Sequence, residues 1–267
     1  MEAPLSQREQ ITGLKGRFPF RLGTSSYIIP DDILPNVRFL AGRVDDIELI
    51  LFESDEMSNI PDEATVAELK QLADDNGLTY TVHLPLDADL GETDDDARAR
   101  SVGKCRRVIE TMASVDPHAH IVHFHKPVEP LTEWADACDR SLGELCAIVD
   151  HPELLAVETL AYPYEWVDDI VRKHGASICI DVGHVLLSDY SLAEYLDRYI
   201  DRMSVMHLHG IIDGKDHASL EGLTQSQLAL ILQSVGGEGA ETRVVTLEIF
   251  SEADLVASEA VLARDVQ

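Results

Sequence analysis

The chain is 267 residues long and 45% hydrophobic, with 49 acidic residues against 21 basic ones and a formal charge of -28 at pH 7. That length suits one fully cored domain, since α/β barrels use about 250 residues, and no opening leader or apolar run of roughly 18 residues suggests export or a membrane span. The charge argues against nucleic acid as a partner, because no basic stripe is present to displace phosphate counterions; it reads as the solvated acidic surface of a cytoplasmic protein.

Residues 1–18 are polar and read as a tail or short helix lying against a single barrel domain over 19–267. The first strand is PFRLGTSSYI, and Asp31 and Asp32 cap a helix whose Ile33, Leu34, Val37 and Leu40 share one face. In the second strand, DDIELILFE, alternation turns Glu48 into the barrel, where Arg21 of the neighbouring strand is its expected ion-pair partner. A helix over Glu63 to Asn76 leads to LTYTVHLP with His83, and a long helix over Asp94 to Val115 leads to HIVHFHKP with His123 and His125. Helices over Thr132 to Val149 and Tyr164 to His174 flank LLAVETL, which ends at Glu158; Gly175 reads as a C-cap. The run SICIDVGH carries Asp181 and His184, and a helix over Leu192 to Arg202 precedes SVMHLHG with His207 and His209. After the long loop GIIDGKDHASLEGL come a helix over Gln225 to Val235, the strand RVVTLEIF with Glu248, and a last helix over Asp254 to Arg264.

Eight strands alternating with eight helices, at a repeat of roughly 30 residues, describe a parallel (β/α)8 TIM barrel. A doubly wound open sheet is the rival. Closure is favoured because six strands in a row deliver His, Asp or Glu at the same end, where a barrel gathers them and an open sheet spreads them along an edge.

The chemistry follows from crowding. Glu158, Asp181 and Glu248 cannot all stay ionised in one mouth unless protons or a cation compensate. Imidazoles from His83, His125, His184 and His207 arrive at the same level, and imidazole with carboxylate is the ligand set of Zn, Mn or Co. His125 stands last before Lys126 and is preferred as ligand over His123; His207 is preferred over His209. His209 is expected as a ligand of a second ion or a substrate contact, His123, Lys126, Tyr27 and Tyr162 are the other expected substrate contacts, and Tyr164 and Phe250 also fall near strand ends. His118, His120, His151 and His174 read as loop or helix-end groups. Cys105, Cys138, Cys146 and Cys179 form no close pair and read as reduced thiols, Cys179 sharing the inward face with Asp181.

The order His, His, Glu, Asp-x-x-His, His and a late Glu resembles the xylose isomerase-like barrels, which include the family 2 AP endonucleases. That resemblance implies His83, His125, Glu158, Asp181, His184, His207 and Glu248 as ligands of up to three zinc ions. The third ion in those enzymes also takes an Asp-x-His pair after the seventh strand; here His217 matches, but Asp216 is adjacent to it. Sugar isomerases and epimerases of the same superfamily need only Glu158, Asp181, His207 and Glu248 around one ion. A narrower likeness lies in RLGTSSYIIPDDILPNVRFLAGRVDDIELILFES, which resembles the opening of the cobamide-remodelling phosphodiesterases.

The leading expectation is therefore a hydrolase using one to three divalent ions, which opens the nucleotide loop of a corrinoid to release cobinamide phosphate and an α-riboside. Ions at the strand ends lower the pKa of a bound water from about 15.7 toward 7, and Glu158 and Glu248 are the residues turnover depends on. The alternatives are a one-ion sugar or sugar-phosphate epimerase in which the two glutamates move protons, and a corrinoid-binding barrel without turnover.

Overall fold

A computed structural model describes residues 11–54, 57–125 and 131–265; Lys126 lies outside them. In chain order the elements are β1 (Arg21–Ser25), α1 (Ile33–Leu40), β2 (Asp46–Ile50), α2 (Glu63–Asn76), β3 (Thr79–His83), α3 (Asp95–Met112), β4 (Ala119–Val122) and α4 (Leu131–Cys146). They continue with β5 (Leu155–Glu158), α5 (Glu165–His174), β6 (Ser177–Asp181), α6 (Val182–Leu187), α7 (Leu192–Tyr199) and β7 (Met203–Leu208). The last are β8 (Gly210–Ile212), β9 (Lys215–Ala218), α8 (Gln225–Val235), β10 (Val244–Leu247) and α9 (Glu252–Asp265).

The main sheet closes on itself in the order β1-β10-β7-β6-β5-β4-β3-β2, every pair parallel. This is the (β/α)8 barrel, and the open-sheet rival is excluded because β1 pairs not only with β2 but also with the last barrel strand, β10, joining Arg21 to Val244 and Thr24 to Leu247. No helix among the described residues is long and apolar enough to cross a membrane.

The helices start where their sequences provide a cap. Asp62, Asp94, Ser191 and Thr224 each accept the backbone N–H three residues on, satisfying a donor the helix leaves unpaired. Gly175 ends α5 at φ 72°, a left-handed geometry that costs a residue with a Cβ about 1 kcal/mol or more. Below the barrel, Ile11 and Leu14 are buried, Leu14 N–H and Lys15 N–H both donate to Arg43 O at 3.0 Å, and Glu259 accepts the N–H groups of Thr12 and Gly13.

The barrel interior is layered. Ala119, Ile121, Ala156, Cys179, Val205 and Val244 form an inner apolar cluster separate from the larger core between strands and helices. Ile121, Ala156, Cys179 and Val205 stand two residues before His123, Glu158, Asp181 and His207. Strand alternation thus stacks a polar layer on an apolar plug, with the polar layer at the C-terminal mouth. Cys179 belongs to the plug, and burial pushes its thiol pKa far up.

Several local expectations are revised. The ladder of β4 stops at Val122, so His123 to His125 leave the strand, while His120 sits inside it and is buried. A short helix, α6, starts immediately after Asp181, and the long loop after β7 holds the antiparallel β8–β9 pair. Glu48 is fully buried, but its partner is His207 rather than Arg21. Register explains the difference: Ser25 lies beside Glu48, which leaves Arg21 four residues further down β1.

Candidate metal centre

The centre is built on Glu158, the last residue of β5. Its Oε1 lies 3.1 Å from His207 Nδ1; its Oε2 meets His123 Nε2 and lies 3.7 Å from His83 Nε2. Two donor sets therefore share one carboxylate: His83, His123 and Glu158 on one side, Glu158, Asp181, His207 and Glu248 on the other. Within each set every residue offers an atom within 4.8 Å of the rest. His184, Asp216 and His217 form a third set of the same compactness.

Local structure places these groups. Asp181 is the N-cap of α6: its Oδ1 accepts His184 N–H at 2.6 Å, so the Asp-x-x-His spacing holds both side chains at the mouth. Asp181 N–H donates to Thr159 Oγ1 at 2.9 Å. His83 Nδ1 lies 2.8 Å from Leu84 O; donating there leaves Nε2 with the lone pair a metal needs. His217 N–H donates to His209 Nδ1 at 2.9 Å, so the His209 proton is on Nε2, which faces Asp181 Oδ2 at 3.2 Å. His209 thereby holds Asp181 in place.

The third set depends on a backbone irregularity. Asp213 and Gly214 turn the β8–β9 hairpin at φ 54° and 75°, the left-handed pair that a tight hairpin requires. On a regular strand the adjacent Asp216 and His217 would face opposite ways. His217 is left-handed at φ 51°, and both side chains come to the same cluster: Asp216 Oδ2 lies 3.9 Å from His184 Nε2 and 3.8 Å from His217 Nε2. The strained residue supplies the turn that the spacer of an Asp-x-His pair would otherwise provide.

Burial pushes the carboxyl pKa values of Glu158 and Glu248 up, but neighbouring imidazoles overcome it. His123 and His207 hold Glu158 well below the usual carboxylate range, and His207 draws Glu248 down to about 2. Burial likewise works to lower the pKa of His207, and the groups around it, Cys179, Glu248, Glu48 and Glu158, raise it well above the ordinary imidazole value. The layer is thus an array of carboxylates that demands positive charge. Glu248 Oε2 and His184 Nδ1 are buried without a hydrogen-bond partner, at a cost of about 1–3 kcal/mol for each such group. A divalent cation meets both demands, and mixed imidazole and carboxylate donors suit zinc, manganese or cobalt.

Above the donors opens a cavity of about 1160 Å³. Tyr27, Phe52, Leu86 and Phe250 supply apolar wall, and His83, His123, Glu158, His184, His217 and Glu248 line it as well. No Lys or Arg is among the described lining residues.

Of the residues expected at the site, His83, Glu158, Asp181, His184, His207, His217 and Glu248 are brought together. His125 is not. It is 37% exposed, Nε2 donating to Leu86 O at 2.9 Å and Nδ1 lying 3.6 Å from Asp89, while it is His123 that shares a donor set with His83 and Glu158. Strand parity gave both histidines an inward claim, but the ladder ends at Val122 and only the first of them is still aimed inward. Tyr27 lines the mouth, its hydroxyl accepting Asn59 Nδ2 at 2.7 Å. Tyr162 is buried in the helix shell between Trp134 and Trp166 and does not line the cavity; Tyr164 is buried too, its hydroxyl donating to Val157 O. Asp216 and Glu48 were named from the sequence but not counted among the donors: Asp216 for its irregular spacing from His217, and Glu48 because inward alternation in DDIELI pointed to a buried ion pair with Arg21.

The fold and the donor sets together define a (β/α)8 barrel with a candidate polynuclear metal centre at its C-terminal mouth. The chain belongs to the xylose isomerase-like TIM barrel family, which it matches over residues 41–265. No curated protein matches it in sequence. Among solved structures it is similar to a D-tagatose 3-epimerase-like protein, with TM-score 0.75 and 19% identity over 92% of this chain and 96% of that one. Endonuclease IV from Thermus thermophilus gives TM-score 0.70 and 19% identity over 91% and 99%. The IOLI protein, solved with a bound zinc atom, gives TM-score 0.72 and 13% identity over 92% and 98%.

Proposed function

We propose that this protein is a metal-dependent phosphoester hydrolase acting on the nucleotide loop of cobamides, releasing cobinamide phosphate and an α-riboside. The observation that carries the hydrolase reading is the sharing of Glu158 between two donor sets, with the His184, Asp216 and His217 set beside them. Proton transfer on a sugar needs one set; three adjoining sets suit a phosphodiester, whose two non-bridging oxygens and leaving oxygen all need stabilising. Divalent ions bound there would activate water and neutralise charge on the phosphoryl group.

The protein's own residues do the rest. Glu158 and Glu248 would hold an ion together with Asp181 and His207, and His209 keeps Asp181 in place through its Nε2–H. His83 and His123 hold the floor on the β3–β4 side. Since no Lys or Arg is among the described lining residues, bound cations are the natural source of positive charge for a phosphate. Tyr27, Phe52, Leu86 and Phe250 offer apolar surface of the kind a macrocycle beside that phosphate would pack against. The corrinoid assignment draws on the likeness of the segment from Arg21 to Ser54 to the cobamide-remodelling phosphodiesterases; a strongly acidic surface also disfavours DNA.

The test is incubation of the zinc-, manganese- or cobalt-loaded protein with a cobamide, followed by chromatography for cobinamide phosphate and α-riboside. Both products should form, and neither with Glu158→Ala. A second reading, a one-ion ketose epimerase, is favoured by the completeness of the Glu158, Asp181, His207 and Glu248 set and by the epimerase-like structures. One ion per chain with epimerisation of a free ketose, and no cobamide cleavage, would establish that reading instead.

A further inference from the structure

Glu48 is a carboxylate on β2, fully buried beneath the mouth and used by neither reading of the reaction. Its Oε2 lies 2.8 Å from His207 Nε2. The other ring nitrogen, Nδ1, points up into the second donor set, 3.1 Å from Glu158 Oε1, 3.2 Å from Glu248 Oε2 and 3.8 Å from Asp181 Oδ2. A neutral imidazole carries one proton, and the nitrogen without it is the one that can bind a metal. Without Glu48, the proton would be drawn to Nδ1, where carboxylates crowd it, and the lone pair would aim down into the apolar plug. Of the carboxylates around His207, Glu48 makes its closest approach to Nε2, whereas Glu158, Asp181 and Glu248 make theirs to Nδ1.

We infer that Glu48 is the positioning residue of the centre: by accepting a hydrogen bond from His207 Nε2–H, it fixes the tautomer whose Nδ1 lone pair faces Glu158, Asp181 and Glu248. The inference rests on the metal reading of the site but not on which reaction it performs. The tautomer of His207 thus depends on a contact between strands that are not neighbours in the barrel. Glu48 Oε1 is buried without a partner, and Glu48 also offers an oxygen within reach of His83 and Glu248, which makes direct ligation by Glu48 the competing role.

The experiment uses the full chain with Co²⁺ and Zn²⁺ in competition with a chromophoric chelator, for wild type, Glu48→Ala and Glu48→Gln. Removing such a carboxylate typically weakens a metal site about 10–100-fold, and that loss is expected for one ion in Glu48→Ala. Glu48→Gln, whose carbonyl oxygen still accepts a hydrogen bond from Nε2–H, should recover most of the affinity with the ion count unchanged. Long-range ¹⁵N–¹H spectra of the zinc-loaded wild type should place the His207 proton on Nε2. Equal affinity in wild type and Glu48→Ala, or a proton on Nδ1, overturns the inference. So does a whole ion missing from Glu48→Gln, since that marks a ligand. If Glu48→Ala does not fold, the glutamine variant and the wild-type spectrum still decide. A wild type that binds no ion defeats the metal reading instead, with cobamide turnover tested separately.

Discussion

Gly183 sits in the middle of the Asp-Val-Gly-His run that caps α6, and replacing it with alanine sets two effects against each other. Its backbone is helical, so alanine gains about 1 kcal/mol from propensity. The added Cβ, however, would stand 2.0 Å from His209 Cε1 and 2.6 Å from Nδ1, well inside the roughly 3.5–4 Å at which nonbonded atoms attract. The ring must move by more than an ångström, and it is fully buried. Overpacking of that kind costs about 1–3 kcal/mol, and losing the His209 contact to the Asp181 carboxylate costs about 1.5–3 kcal/mol more. The clash wins: Gly183→Ala should be destabilised by about 2–5 kcal/mol in urea denaturation and should bind metal more weakly, because Asp181 loses its brace. A double variant, Gly183→Ala with His209→Ala, should recover part of the stability by removing the obstructing ring. If Gly183→Ala matches wild type in both stability and metal affinity, the placement of His209 against this glycine is wrong.

Other expectations separate the parts of the site. His123→Ala should lose metal affinity about tenfold or more, whereas His125→Ala should keep it; elemental analysis of the two purified variants distinguishes the ligand from its neighbour. Asp216→Ala should lose one ion of the complement and retain those at Glu158, and retention of every ion would remove the hairpin from the centre. Because bound metal replaces protons on His207 and its neighbours, loading should release protons and weaken as pH falls, which titration calorimetry in buffers of different ionisation enthalpy measures. His120 governs stability apart from metal. Burial lowers its pKa from 6.5 to about 4, so the unfolded chain binds its proton first. Its contribution is intact above pH 6.5 and fades as pH drops toward 4, reaching roughly 3 kcal/mol. His120→Leu should flatten that part of the stability–pH curve for the chelator-treated protein; an unchanged slope would place the acid sensitivity elsewhere.

The architecture was legible in the chain because alternation has a physical meaning in a barrel. Apolar runs ending in His, Asp or Glu, joined by helices with Asp, Ser or Thr caps, leave few ways to bury the apolar faces other than a closed parallel sheet. Most of the donor set was legible too: Glu158, Asp181, His207 and Glu248 fall at inward positions of strands or just past their ends, and Asp-x-x-His is a local capping geometry. What lay past the last ladder hydrogen bond was settled only in three dimensions. His123 and His125 share a parity, and the choice between them turned on β4 ending at Val122. Asp216 and His217 share the third set because of a single left-handed residue. Glu48 meets His207 because barrel closure turns β2 and β7 toward one interior, where side chains 159 residues apart in sequence come within 2.8 Å. Short-range pattern specifies which face a residue takes on a strand; the meeting of side chains from distant strands, and the turns of the backbone beyond them, are set by packing that no local spacing records.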